Sequence, residues 1–449
     1  MARPYFATPD RSLNTVMYTG SLERSFPVIF TIIVFVLMYV LMLIFSKHRM
    51  FVALGAAVVL ICAGILPPLS AVSAIDWNVI LMIGGTMGLV SLFIESGMPE
   101  RMGQMLLRHV PNACWAVIAL SLFSGFISAF VDNVATLLML APVGLAISKE
   151  LKINPVPVLI SIAVSSNLQG AATLVGDTTS IMLGGYAGMD FTQFIFWHGR
   201  PSIFFAVELG ALCTIPVLFI LFRRDKLPIP RTEETKVTDY FPSVLMVAVV
   251  VLLIAASFIR NKWPVTNGLI CVALCVIGVV RAMIKRRSIQ PFKLVASEMD
   301  YQTLLMLAGL FIVIAAVSEV GIIDAIADFF SLVGGKSLLL LYVIIVGVSV
   351  ILSAFIDNIP YVAAMLPVVS SIAASKGIDP TVLYFGLLTG ATLGGNITPF
   401  GASANITAIG ILRKDGYDVK NKDFFRIGLP FTFVAVIVGA VFIWLVWAH

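Results

Sequence analysis

The chain has 449 residues, 59% of them hydrophobic and only 12% charged, with a mean hydropathy of +1.03. A soluble domain is roughly 45–50% apolar and 25% charged, so a water-soluble core, a disordered chain and a disulfide scaffold are all excluded. The net charge of +5 is carried in short basic runs between apolar segments rather than in a patch or stripe, which is a topology signal and leaves no role for nucleic acid as a partner.

In chain order, residues 1–24 form a polar segment that lacks the charged start and cleavage site of a signal peptide. A spanning helix needs about 20 mostly apolar residues. Spans are expected at 25–46, 50–66, 78–95, 203–222, 242–260, 264–283, 302–318 and 427–447. The stretches 155–186 and 380–412 are interrupted by Gly, Asn and Thr and read as broken helices. Two others, 113–148 and 338–374, are too long for one span, carry an Asp-Asn pair in the middle, and read as re-entrant hairpins. Short amphipathic surface helices are expected at 98–109 and 322–332. The predicted fold is an all-α polytopic membrane protein of about ten transmembrane helices plus two re-entrant hairpins and two broken helices.

With the N-terminus outside, 21 of the 29 Lys and Arg fall in the cytoplasm. Only Arg3, Arg11, Arg24, Arg200, Arg260, Lys262, Lys336 and Lys376 face outward. Both termini are then extracytoplasmic, and the plasma (inner) membrane is the expected location.

The two Asp-Asn segments match each other. Ser128 to Val134 answers to Ser353 to Ile359 at an offset of 225, which also pairs Pro142 with Pro367, Gly170 with Gly395, Thr173 with Thr398 and Gly176 with Gly401. Asp76-Trp77 pairs with Asp300-Tyr301 at 224. The chain therefore reads as a first inverted repeat (25–222), a cytoplasmic linker (223–241) and a second inverted repeat (242–449). An odd number of crossings per half turns the second copy over, the sequence signature of a secondary transporter with its site at mid-membrane.

Four helix breaks follow, at Asp132-Asn133, Asn167 to Asp177, Asp357-Asn358 and Asn396 to Asn405. Helix starts are expected near Val134, Thr178, Ile359 and Ser403, bringing positive dipole ends suited to an anion. The expected ion and substrate residues are Asp132, Asn133, Asn167, Thr173, Asp177, Thr178, Asp357, Asn358, Asn396, Thr398, Ser403 and Asn405. Asp132, Asp177, Glu208 and Asp357 lie within spans where no Lys or Arg is found at mid-depth, so they require protons or a bound cation. Na⁺ or H⁺ is the expected coupling ion, with Asp132, Asn133, Asp357 and Asn358 as the Na⁺ ligands; no other metal and no cofactor are expected. For Asp132 and Asp357 the plainer alternative is helix capping. For Glu208 it is an interhelical hydrogen bond. Glu95 and Glu319 fall at span ends and read as solvated.

These residues resemble the ion transporter superfamily, in the arm holding arsenite permeases, the melanosomal P protein and D-type sodium/proton antiporters. They are more distantly similar to sodium-coupled dicarboxylate transporters. The likeness runs from about residue 30 to the C-terminus and is strongest at Phe130 to Pro142, Gly170 to Asp177 and Gly390 to Ile411. Asp-Asn in both halves is closer to the P protein than to arsenite permeases. The resemblance implies inverted repeats, a scaffold and an elevator-like movement of the hairpin-bearing part.

The function expected is secondary active transport of a small anion or oxyanion-like solute coupled to H⁺ or Na⁺, with the lipid bilayer as surroundings and room for a homodimer. The alternative is a sodium/proton antiporter. A channel would share the repeats and hairpins. An intramembrane hydrolase lacks its base, because His48, His109, His198 and His449 all lie at surfaces or ends, so no enzyme is expected.

Overall fold

The computed structural model describes residues 21–228, 235–335 and 337–448. Residues 1–20, part of the expected linker (229–234), Lys336 and His449 lie outside them, so what was expected of those positions lies outside the described residues.

The described chain forms twenty α-helices. The first ten are α1 (Ser21–Ile44), α2 (Arg49–Cys62), α3 (Pro68–Ala74), α4 (Trp77–Glu95), α5 (Met98–Leu107), α6 (Ala113–Ser128), α7 (Asn133–Glu150), α8 (Pro155–Gly170), α9 (Thr178–Ala187) and α10 (Ile203–Phe222). The second ten are α11 (Phe241–Ser257), α12 (Thr266–Arg286), α13 (Gln290–Glu298), α14 (Tyr301–Glu319), α15 (Ile322–Gly334), α16 (Leu338–Ser353), α17 (Asn358–Lys376), α18 (Thr381–Gly394), α19 (Ser403–Lys414) and α20 (Asn421–Trp447). A short antiparallel ribbon, β1 (Phe196–Trp197) with β2 (Arg200–Pro201), precedes α10.

Seven described helices are long and apolar enough to cross a membrane: Phe26–Ile44 of α1, with α4, α10, α12, α14, α17 and α20. The apolar helices α2, α6 and α11 are shorter. The expected span 50–66 is only 14 residues of helix, roughly 21 Å at 1.5 Å per residue. The last helix begins at Asn421 rather than at 427. Helices expected at 98–109 and 322–332 appear, as α5 and α15. Helices α3 and α13 were not expected, because nine residues or fewer with mixed polarity give no periodic signal.

Local chemistry repeats across the halves. Asp76 caps α4 by accepting the Val79 N–H at 3.1 Å, and Asp300 caps α14 by accepting the Thr303 N–H at 3.0 Å. Helices α8 and α18 are buried along almost their whole length and form the centre. An apolar helix buried on every side belongs to a protein interior, whereas α1 turns Phe26, Ile29, Ile33 and Val36 outward, as a lipid-facing helix must.

Helix directions follow from end contacts. The Gly268 N–H at the start of α12 donates to Asn78 at the start of α4 (2.8 Å), and Arg286 at the end of α12 meets Glu95 at the end of α4 (2.5 Å). So α4 and α12 run the same way. The chain then turns through α13 into α14, and α14 runs opposite to α4.

Candidate functional site

The chain leaves helical geometry at 129–132, 171–177, 354–357 and 395–402, the last opening with a 3₁₀ turn at Gly395–Ile397. The helices that follow start at Asn133, Thr178, Asn358 and Ser403. Each break frees backbone groups that must find partners away from water, and equivalent residues supply them. The Thr173 hydroxyl donates to the Ala129 carbonyl, and Thr398, 225 positions on, donates to that of Ala354. The same hydroxyls accept the N–H groups of Val175 (3.3 Å) and Phe400 (3.2 Å). Ser180 Oγ donates to Gly170 O at 3.2 Å, and Asn405 Nδ2 to Gly395 O at 3.1 Å. Asp132 Oδ1 accepts from Val134 and Ala135 (3.0 and 3.2 Å), and Asp357 Oδ1 from Ile359 (3.1 Å). Two glycines are required here. A Cβ on Gly176 would sit 2.6 Å from Gly170 O, and one on Gly401 2.6 Å from Gly395 O.

The four helix starts meet at one cavity of about 380 Å³. Its floor holds Asn133, Thr178, Asn358 and Ser403, one from each start, with Asp132, Asp177 and Asn167 beside them. Its other wall comes from Ser91 and Glu95 of α4, Glu298 of α13, and Asp300 and Thr303 at the start of α14. Asp177 is 5% exposed, accepting from Thr179 Oγ1 (2.8 Å) and Asn358 Nδ2 (3.3 Å). Helices α9 and α19 start without a side-chain cap.

A chain of amides ties the halves together beneath the floor. Asn133 Nδ2 donates to Asn167 Oδ1 (3.0 Å), and Asn167 Nδ2 to Asn396 Oδ1 (3.0 Å) and Thr392 O (2.9 Å). Asn396 Nδ2 closes on Val164 O at 2.9 Å. Position 392 is the 225-offset partner of 167, so Asn167 bonds to the backbone of its own counterpart.

Of the twelve residues expected to bind ion or substrate, seven line the cavity and five do not. Thr173, Thr398, Asn396 and Asn405 repair the breaks or join the halves instead. Asp357 does not line the cavity, and here an expectation is corrected: it does have a basic partner, Arg49 Nη1, at 2.7 Å. Glu208 also lies outside the cavity and accepts from Gln169 Nε2 at 3.3 Å, a bond between α10 and α8. The wall carboxylates Glu95, Glu298 and Asp300 were missed as site residues. Glu95 is not simply solvated, since it lines the cavity and pairs with Arg286. The available signal was Asp300 itself, already marked as the partner of Asp76. The cavity thus presents five carboxylates and, among its lining residues, no Lys or Arg.

At the far ends of α4 and α14 lies a pinched space of about 20 Å³ beside Asp76, Phe311, Ile314 and Ala363. Their offset partners Asp300, Met87, Val90 and Leu138 all line the large cavity.

Residues 33–390 match the family described as citrate transporter. An uncharacterized transporter of Mycobacterium tuberculosis is 33% identical over 429 residues, covering 93% of this chain and 98% of that protein. The human P protein is 26% identical, with 89% of this chain aligned to 58% of its length. Among solved structures, MtrF of Neisseria gonorrhoeae, described as representing a class of antimetabolite efflux pumps, superposes with a TM-score of 0.57 at 15% identity over 94% of this chain and 95% of that one. The YdaH transporter of Alcanivorax borkumensis gives 0.55 at 15% identity, over 82% and 85%. These two likenesses establish the fold alone.

Proposed function

The chain belongs to the citrate transporter family and is an integral membrane transporter, and from that premise we propose that it is a secondary active transporter carrying a small anion together with a cation, H⁺ or Na⁺. One observation carries this reading: four interrupted helices begin at a single cavity that also holds Asp132 and Asp177. Helix starts favour a negative group by their dipole and free N–H groups. Intramembrane carboxylates with no basic neighbour require a cation.

Coupling follows from charge. At an effective dielectric of 20, two like charges 5 Å apart repel by about 3 kcal/mol. An anion entering alone meets the carboxylates, and a cation seated first at Asp132 and Asp177 removes that penalty. Anion affinity then depends on the cation, which is the thermodynamic content of coupled transport. The family description points to a carboxylate such as citrate as the anion class.

The halves are taken as inverted repeats, 25–222 and 242–449, joined by the cytoplasmic segment 223–241, with α6–α7 and α16–α17 as re-entrant hairpins. The recurring hydrogen bonds and the opposed directions of α4 and α14 support this. Ion pairs between distant segments also respect the side assignment: Lys149 with Asp415 (2.7 Å), Arg281 with Asp239 (2.8 Å) and Arg286 with Glu95 (2.5 Å) all join groups placed in the cytoplasm. Lys262 with Asp190 joins two placed outside. On this assignment both termini are extracytoplasmic and the large cavity opens inward. The hairpins and broken helices form the moving part, which exposes the site alternately by an elevator-type displacement against α1–α4 and α11–α14.

A second reading, a sodium/proton antiporter without an anion, is favoured by the five lining carboxylates and the absence of lining Lys or Arg. Proteoliposome flux with citrate, other carboxylates, arsenite, silicate and chloride at a fixed pH gradient separates the two. Anion accumulation driven by an imposed H⁺ or Na⁺ gradient is the expected result. A lumenal pH change driven by Na⁺ with no anion present would favour the antiporter.

A further inference from the structure

Asp132 and Asp357 occupy equivalent breaks but stand in different charge environments. No ion pair reaches Asp132 or Asp177 among the described residues, so the breaks of the first half hold two carboxylates and no base. The counterpart of Asp177 in the second half is Ala402. Asp357 Oδ2 instead receives Arg49 Nη1 at 2.7 Å and Ser403 Oγ at 3.3 Å, and Asp357 is 4% exposed. Arg49 is oriented by its own Nε, which donates to Met42 O at 3.4 Å. Its counterpart on α12 is Asn267, because Gly309 packs against Ala53 and Leu54 of α2 as its 224-offset partner Gly85 packs against Cys271 and Val272 of α12. The two differences act in the same direction. The breaks of the first half hold two carboxylates and no guanidinium, and those of the second hold one carboxylate and its guanidinium.

We propose that Arg49 is a tethered cation occupying the place where the second half would otherwise bind an ion, so that one coupling cation is taken per cycle, at Asp132 and Asp177. The inference rests on the cation-coupled reading of function. A buried carboxylate cannot stay charged without a partner. Arg49 supplies that partner permanently, because a guanidinium does not lose its proton. It touches neither the cavity nor the transported anion, and it is a positioning residue whose effect is on ion stoichiometry.

The test is the steepness of substrate uptake against Na⁺ at fixed pH, and against pH at fixed Na⁺, in proteoliposomes. The parent is expected to respond to its coupling ion with a Hill coefficient near 1. Arg49→Gln uncovers Asp357 and is expected to raise the coefficient toward 2 and shift the midpoint about tenfold or more. Adding Asp357→Asn to Arg49→Gln removes both charges and is expected to return the coefficient to 1, whatever flux remains. If Arg49→Gln alone does not reach the membrane, the neutral pair decides: a retained single-ion response supports the proposal, and loss of ion response overturns it. A parent coefficient of 2, or Arg49→Gln with the parent's steepness and midpoint, overturns this inference while leaving the coupled-transport reading intact. A parent with no response to either ion overturns both.

Discussion

The breaks of the first half, after α6 and α8, and those of the second, after α16 and α18, are built on one skeleton and carry different charge. Thr173 and Thr398, Gly176 and Gly401, and Ser180 and Asn405 make the same backbone repairs 225 positions apart. Asp177 answers to Ala402 across the repeat, and Arg49 to Asn267. The difference separates two constraints. Backbone groups freed in a low-dielectric interior have to be satisfied in both copies, so the residues that satisfy them recur. Charge has only to balance over each site as a whole, so a side chain 308 positions away can supply it in one copy and a solute ion in the other.

The strongest challenge to the shared skeleton is Gly176→Ala set beside Gly401→Ala. Each added methyl meets three backbone carbonyls at 2.6 to 2.9 Å, which cannot rotate away. Both variants are expected to lose about 3 kcal/mol or more and to fail to accumulate as folded protein, read by membrane yield and thermal melting in detergent. If only one is sensitive, the two breaks are not equivalent.

Charge should divide the copies. Asn caps a helix about as well as Asp, so Asp132→Asn is expected to fold normally, lose its response to the driving ion, and transport on the order of 100-fold more slowly, corresponding to about 3 kcal/mol of lost coupling. Asp357→Asn leaves the Arg49 guanidinium without its carboxylate and is expected to cost about 2 kcal/mol of stability while keeping a single-ion response. Equal loss of ion response in both would remove the distinction. Thr173→Val and Thr398→Val should return to equality, each costing roughly 1–3 kcal/mol through an unsatisfied buried carbonyl.

The smallest effect is expected at Asp239. Burial alone would raise the Asp239 carboxyl, but Arg281, the Phe241 N–H and Lys285 outweigh it and pull it down to about 2 from the usual 3.8. A depressed carboxyl contributes stability that is complete above pH 3.8 and is lost as pH falls through about 2. Asp239→Asn should therefore cost no more than about 1 kcal/mol, with the same deficit at pH 5 and pH 8. A deficit that grew between those values would contradict the assignment.

The breaks themselves were legible in the sequence because lipid leaves so few explanations for Asp, Asn, Gly and Thr inside an apolar run. The helix starts at Asn133, Thr178, Asn358 and Ser403 fall within one residue of the positions read from it. What sequence could not supply was facing and distance. Thr173 and Asn167 look alike as polar residues near a break, yet one repairs backbone and the other reaches the cavity. Arg49 reads as a cytoplasmic loop charge, since nothing in its neighbours reveals Asp357. Glu95 and Glu298 sit at helix ends, and a helix end does not reveal whether it faces solvent or a shared wall. Helices α3 and α13 were too short to register.

The pinched space beside Asp76, Phe311, Ile314 and Ala363 is lined by the repeat counterparts of residues that line the large cavity. Under the inverted-repeat reading, opening that side while closing this one exchanges the roles of two similar linings, so the two arrangements lie close in energy by construction. Their difference is then set by the substitutions between the linings, chiefly a rigid phenyl ring at 311 where the open side has the pliable Met87, and Ala363 where it has Leu138. Resting preference in such a machine is a matter of a few side chains. Within one or two kcal/mol, a gradient no larger than a membrane maintains is enough to reverse it.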